Sequence, residues 1–256
     1  MEDSQKIVLV TGGSRGLGAA TSRLAATNGY RVAVNYRAES AAAERVVADI
    51  RAAGGDARAF QADVAREEDV VRLFDEVVDV FGSIWGVVNN AGINGGTVRV
   101  DEFDAAALSK LMAVNVIGTM ICCREAVRRM STLHGGSGGS IVNVSSMAST
   151  IGGRPRRTNY AATKGAVDAF TIGLAKEVAT EGIRVNAVRP GMAWSDMTAH
   201  LRNEEAKLAA LSSTIAMKRI ADASEIAEPI VWLLSPEASF VSGCRLDASG
   251  GGFVFG

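Results

Sequence analysis

The sequence predicts an α/β fold: one domain built on a seven-stranded parallel sheet with helices on both faces, a doubly wound arrangement. Three observations lead there. Short apolar runs alternate with amphipathic stretches along most of the chain, which is the trace that repeated βα units leave in a sequence. Most of the strand-like runs are apolar throughout, as strands covered on both faces must be. A glycine-rich turn, Thr11-Gly12-Gly13-Ser14-Arg15-Gly16-Leu17-Gly18, joins the first run to the first amphipathic stretch.

In order, Ile7 to Val10 is a strand and Leu17 to Asn28 a helix; Arg31 to Asn35 is the second strand. An alanine-rich helix from about Ser40 to Ala53 is ended by Gly54-Gly55, after which Ala57 to Gln61 is a strand closed by Asp63. Glu67 to Phe81 is a helix whose acidic start suits the positive end of its dipole. Strand Ile84 to Val88 then leads into Asn89-Asn90-Ala91-Gly92. The second half repeats the rhythm, with a long helix from about Ala105 to Met130, a strand from Ile141 to Ser145, a helix from about Asn159 to Thr180 and a strand from Ile183 to Val188. Between the first two of these, Gly135 to Gly139 reads as a flexible surface loop. Past Pro190-Gly191, the weakly periodic segment 192–219 reads as a mobile substrate lid. Asp222 and Glu225 have the spacing of a capping box for a helix reaching Leu234, which Pro229 should kink or deprive of a hydrogen bond. A last strand surrounds Leu246.

At 256 residues the chain suits a single α/β domain spanning 1–256, and a net charge of -1 lacks the basic field of a nucleic-acid binder. Cys122, Cys123 and Cys244 form neither a zinc spacing nor an even disulfide framework, so no metal is expected, and they read as buried, reduced thiols of a cytoplasmic protein. Met1 to Lys6 lacks the features of a signal peptide, and no apolar run approaches the ~20 residues of a membrane span, so no membrane partner is expected.

The chemistry is carried by Tyr160 and Lys164, one helical turn apart on a shared face. The ammonium beside the phenol, joined by the positive charge of a nicotinamidium bound above the same helix, should draw it down from its usual value of about 10 toward neutrality, where general acid-base catalysis works best. Alone, such a pair is more often a packing tyrosine beside a solvated lysine, and a lone glycine loop is often an ordinary turn. Here the glycines at 12, 16 and 18 lie between a strand and a helix N-terminus, where backbone N–H groups and the dipole favour a phosphate.

The spacing G-x-x-x-G-x-G, with Thr11, Asn89-Asn90-Ala91-Gly92, Ser146, Tyr160 and Lys164 in that order, resembles the short-chain dehydrogenase/reductase family across nearly the whole chain. The resemblance implies a Rossmann fold and a nicotinamide-dependent carbonyl reductase or alcohol dehydrogenase. In that likeness Ser146 bonds the substrate carbonyl, Tyr160 exchanges the proton, Lys164 bonds the nicotinamide ribose and lowers the tyrosine, and Asn115 holds a water against the lysine. Gly12, Gly16 and Gly18, with Ser14 and Leu17 among them, would cradle the dinucleotide. Asp63 and Val64 match adenine-lining positions, and Asn89, Ala91 and Gly92 positions along the adenine ribose. Pro190-Gly191 would face the nicotinamide, with Ser195 where a threonine commonly bonds the carboxamide. The interval from Ser146 to Tyr160 is one residue longer than is usual in the family, and Trp85 replaces a frequent aspartate.

The stretch Asn35-Tyr36-Arg37 offers no carboxylate for a ribose hydroxyl, whereas Arg15 and Arg37 could bracket a 2'-phosphate, which predicts NADP(H) over NAD(H). Arg154, Arg156 and Arg157 are either a handle for an anionic substrate or part of a solvated loop or subunit contact. The likeness covers 3-oxoacyl carrier-protein reductases and glucose 1-dehydrogenase-like sugar oxidation, and Glu181 tilts away from an acidic carrier protein. A rival reading is a catalytically silent NADP-binding sensor, against which all four catalytic positions are filled. The apolar tail with Phe253 and Phe255, together with the resemblance, implies a homo-oligomer, a homotetramer.

Overall fold

The computed structural model describes residues 6–195, 198 and 203–252. Along the chain these form β1 (Ile7–Val10), α1 (Gly16–Thr27), β2 (Arg31–Tyr36), α2 (Ser40–Ala52), β3 (Ala57–Gln61), α3 (Glu67–Phe81) and β4 (Ile84–Asn89). There follow α4 (Ala105–Met112), α5 (Gly118–Met130), β5 (Gly139–Val144), α6 (Ala148–Ile151), α7 (Thr158–Glu177), β6 (Ile183–Pro190), α8 (Glu205–Ser213), α9 (Ala223–Leu234) and β7 (Arg245–Ala248). All seven strands run parallel in the order β3-β2-β1-β4-β5-β6-β7.

Every residue of β1 is buried because the sheet is covered twice. On one face α1, α2 and α9 pack through residues such as Ala25, Val46, Ile50, Ile230 and Leu234; on the other α3, α5 and α7 pack through Leu73, Phe74, Cys122, Ala126 and Leu174. The helix ends follow local chemistry. The first turn of α3 carries Glu67, Glu68 and Asp69 at its positive end. At the start of α9 the Asp222 N–H donates to the Glu225 carboxylate at 2.9 Å, and the helix continues past Pro229 to Leu234. Trp85 gains a role from packing: its Nε1 donates to Leu234 O at 3.4 Å and the Lys6 ammonium lies 3.7 Å from its ring centre.

Three expectations need correction. The long helix is two α-helices joined by a π-helical turn over Ala113–Ile117. Gly118, just after it, lies so close to the backbone of Val64 that a Cβ would approach Val64 O to 2.6 Å. The combined 105–130 stretch is also long and apolar enough to cross a membrane by length and composition, although its apolar residues are not consecutive; Leu111, Val114, Cys122, Ala126 and Met130 bury themselves in the protein core. Gly135 to Gly139 is not a loose loop. A Cβ on Gly136 would lie 2.4 Å from the backbone of Met130, and one on Gly139, already in β5, 2.1 Å from Trp85 O. Cys122 and Cys123 are buried, but Cys244 is partly exposed. The segment 192–219, expected as a lid, includes one helix, α8, among its described residues.

Candidate active site

The strand order reverses between β1 and β4, the place where an open α/β sheet leaves a crevice at its carboxyl edge. A cleft of about 640 Å³ opens there. Its first wall is the glycine loop, held by backbone and buried side chains. Asn35 Oδ1 accepts from Gly12 N at 3.1 Å, and Asn35 O from Gly13 N at 2.8 Å. Asn90 Nδ2 donates to Thr11 O and Gly12 O, both at 3.0 Å, while Thr11 Oγ1 accepts from Asn90 N and Ala91 N. Gly12 and Gly16 have φ of 60° and 50°, the left-handed region that favours glycine. A Cβ on Gly18 would lie 2.2 Å from Gly12 O. The loop therefore brings backbone N–H groups and the start of α1 to the cleft with no side chain between, which fits a dinucleotide pyrophosphate.

Of the residues expected at the nucleotide, Gly12, Ser14, Arg15, Gly16, Leu17, Gly18, Asn35 and Arg37 line the cleft. So do Asp63, Val64, Ala91, Gly92, Pro190, Gly191 and Ser195. Asn89 does not. It is the last residue of β4 and points into the core, where its Nδ2 donates to Asn143 Oδ1 at 2.9 Å; alternation along the strand gives the cleft to Asn90 instead. Asn35 reaches the cleft edge, yet its side chain is spent on Gly12, Phe60 O and Ala62 O. The stretch 35–37 holds no carboxylate, but Glu39, two residues after Arg37, also lines the cleft.

The chemical groups stand farther along the cleft. Ser146, just beyond β5, lines it, and its Oγ accepts from Ala148 N at 3.1 Å. Ser145 also lines the cleft, but its Oγ is spent donating to Lys164 O at 3.2 Å. Tyr160 and Lys164 face the cleft from the first half of α7. The Lys164 ammonium donates to Val144 O at 2.8 Å and lies 5.8 Å from the centre of the tyrosine ring. Burial lowers the Lys164 ammonium to about 8, with Asp168 opposing. The Tyr160 phenol is raised by burial, opposed by a hydrogen bond with Ser146 and the charge of Arg157. Desolvation outweighs the attractions that the protein alone places around the phenol, whereas the expected fall drew also on the charge of a bound nicotinamidium.

Asn115 lies in the π-helical turn, does not line the cleft, and is completely buried. Its Oδ1 accepts from Ile93 N at 2.8 Å and its Nδ2 donates to Ile93 O and Thr163 Oγ1. A Cβ on Gly92 would lie 3.4 Å from Asn115 Oδ1 and 3.7 Å from Lys164 Nζ, so the two side chains flank one point of the backbone. Arg154, Arg156 and Arg157 do not line the cleft. Arg156, with φ of 66°, pairs with Glu102 at 2.7 Å, and Arg154 Nη2 lies 3.2 Å from Met192 Sδ. Glu181 is engaged by Ser131. Phe253 and Phe255 lie outside the described residues, as does His200 of the expected lid.

The model of the short chain dehydrogenase family matches residues 6–206. An uncharacterized oxidoreductase, YgfF of Escherichia coli (strain K12), is 46% identical over 245 residues, which are 96% of this chain and 99% of that protein. A 3-oxoacyl-[acyl-carrier-protein] reductase of Synechocystis is 36% identical over 255 residues, 98% of each chain. Among solved structures, a Serratia marcescens short-chain dehydrogenase/reductase double mutant superposes with a TM-score of 0.89 at 30% identity, covering 97% of this chain and 98% of that one. The chain belongs to the short-chain dehydrogenase/reductase family and is a nicotinamide-dependent oxidoreductase.

Proposed function

We propose that the chain is an NADP(H)-preferring enzyme that reduces the carbonyl of a small molecule to an alcohol, or runs the reverse, at a site made of Ser146, Tyr160, Lys164 and Asn115. The observation that carries this reading is the convergence of Ser146, Tyr160 and Lys164 on the cleft that the glycine loop also lines. When bound, the nicotinamide supplies or accepts the hydride. Ser146 Oγ–H donates to the carbonyl oxygen, and Tyr160 gives that oxygen its proton as negative charge grows there. An ammonium has three N–H donors; Lys164 uses one on Val144 O, which leaves donors for a ribose hydroxyl and for lowering the phenol. Asn115 fixes Ile93 and the adjoining chain beside the lysine.

NADP(H) preference rests on Arg15 and Arg37, both exposed on the nucleotide wall; Glu39 opposes it, so two positive charges must outweigh one negative. Segment 192–219 is read as the wall that selects substrate, with Met192 and Trp194 in the lining. The likeness to carrier-protein reductases makes 3-oxoacyl thioesters one substrate class to test, with sugars as the alternative. Exposed Met112, Ile117, Trp232 and Phe240 support an assembly of copies, for which the tetramer is our reading; a stable monomer in light scattering would refute it. Cytoplasmic residence rests on the free thiols alone.

The test is NADPH consumption against ketones, aldehydes, 3-oxoacyl thioesters and, in reverse, sugars, with Tyr160→Phe in parallel. Loss of the proton donor should lower kcat by about a thousandfold with NADPH affinity kept. Equal turnover in both proteins would exclude Tyr160 as the acid.

A further inference from the structure

Beyond the four residues of the proposed site, α7 carries a second charged side chain on the same stripe. Asp168 stands one turn after Lys164, as Lys164 stands one turn after Tyr160, so the three share a helix face. Lys164 is 5% exposed and Asp168 8%, a depth at which charges act through little solvent. From β6, Arg189 brings its Nε to 3.2 Å of Asp168 Oδ2, and its Nη1 lies 3.3 Å from Asp247 Oδ1 of β7. The contact to Asp168 is close but poorly aligned: Arg189 Nε and Asp168 Oδ1 are both buried without a hydrogen-bond partner. Such a geometry is Coulombic more than hydrogen-bonded, and it does not consume the carboxylate. One guanidinium between two carboxylates leaves the cluster with one negative charge, next to the single buried ammonium of the site.

We propose that Asp168, held by Arg189 against β6, is a positioning residue that keeps Lys164 in its ammonium form. The inference rests on the reading of Lys164 as part of the site. Burial works against that form and Asp168 is the group that works for it. The other groups facing the lysine are Tyr160 on the same helix, the uncharged Asn115 of the π-helical turn and the carbonyl of Val144 on β5. The charged groups behind Asp168 are Arg189 and Asp247, and Arg157 acts on the tyrosine. An ammonium is lost as pH rises through its own value, so activity that needs it fails on the alkaline side.

The two partners should move that alkaline limb in opposite directions. Asp168→Asn removes the supporting charge and should shift the limb down by about one pH unit, with activity recovering at lower pH. Arg189→Met leaves the carboxylates less neutralised and should shift it up. Asp168→Glu should restore the wild-type profile. A merely structural pair would give two unstable proteins whose profiles keep their shape or move together, and that result overturns the proposal. A second readout is independent of turnover: the pH titration of ¹³Cε-labelled lysine, with the Lys164 signal identified through Lys164→Arg. Displacement of that signal to lower pH in Asp168→Asn supports the proposal even where no carbonyl is turned over; an unmoved signal overturns it even where the enzyme is active.

Discussion

On one wall of the cleft the glycine loop is held by contacts that leave no room for change, whereas the other wall, lined by Met192 to Ser195 and Thr198, rests on a few apolar side chains. In the loop, Gly12 and Gly13 are fixed by Asn35, and Asn90 pins the carbonyls of Thr11 and Gly12. On the opposite side α8 buries none of its residues. Its segment is instead tied by a small cluster, Ile215 and Ile220 with Met192, Trp194, Leu208 and Leu211, and by strand-like bonds from Trp194 N to Ala221 O and Met217 N to Gly250 O. A wall that holds a common cofactor must reproduce one backbone shape, whereas a wall proposed to select substrate need only present a surface.

The comparison breaks most visibly at Gly18. The methyl of Gly18→Ala would meet the Gly12 carbonyl at 2.2 Å and Asn90 Nδ2 at 2.5 Å, and backbone cannot step aside as a flexible side chain can. Overpacking of this kind costs about 1–3 kcal/mol, and here it is spent at the phosphate cradle. We expect NADPH affinity to fall at least tenfold and thermal stability to drop, measured by fluorescence titration and calorimetry. Unchanged nucleotide affinity would mean that the loop is as adaptable as the lid wall.

This contrast also explains what could be read from the residues alone. The positions of the strands, the glycine loop and the Tyr160–Lys164 face depend on local pattern: an apolar period, a backbone needing glycine, an interval of one turn. What escaped depends on long-range packing. Asn89 ends β4 and Asn90 follows it, and this one-residue step exchanges core for cleft. The π-helical turn around Asn115 leaves no period of its own, because residues on both sides continue the helix. Glycines 136 and 139 resemble a linker by composition, yet they serve close backbone approach. The direction in which Tyr160 shifts required knowing how deeply α7 buries it.

A smaller effect distinguishes the charged rim of the first wall from its glycine floor. Arg37 is exposed at the end of β2, where its interactions are screened, so Arg37→Ala should leave the fold untouched. Removing one charged partner of a 2'-phosphate should weaken NADPH about tenfold while NADH is unaffected or slightly improved. Two titrations against each protein measure this. Equal losses for both nucleotides would place Arg37 away from the 2'-phosphate, and tighter NADH in the wild type would show that Glu39 prevails.

The lid wall should respond least in stability and most in substrate. Leu211 is half-buried in the small cluster with Ile215 and Ile220, and neighbours with few contacts can relax around a smaller side chain. Leu211→Ala should therefore cost about 1 kcal/mol or less, well under the 2–5 kcal/mol of a Leu→Ala change in a rigid core. KM for the carbonyl should rise severalfold because Met192 and Trp194, which line the cleft, belong to the same cluster, whereas NADPH affinity should stay within twofold. Steady-state kinetics with the nucleotide saturating separates the two. A fall in nucleotide affinity as large as the rise in KM would mean that the walls are mechanically one, since Ser195 on the lid side already lies where a Cβ on Gly16 would touch it at 3.5 Å.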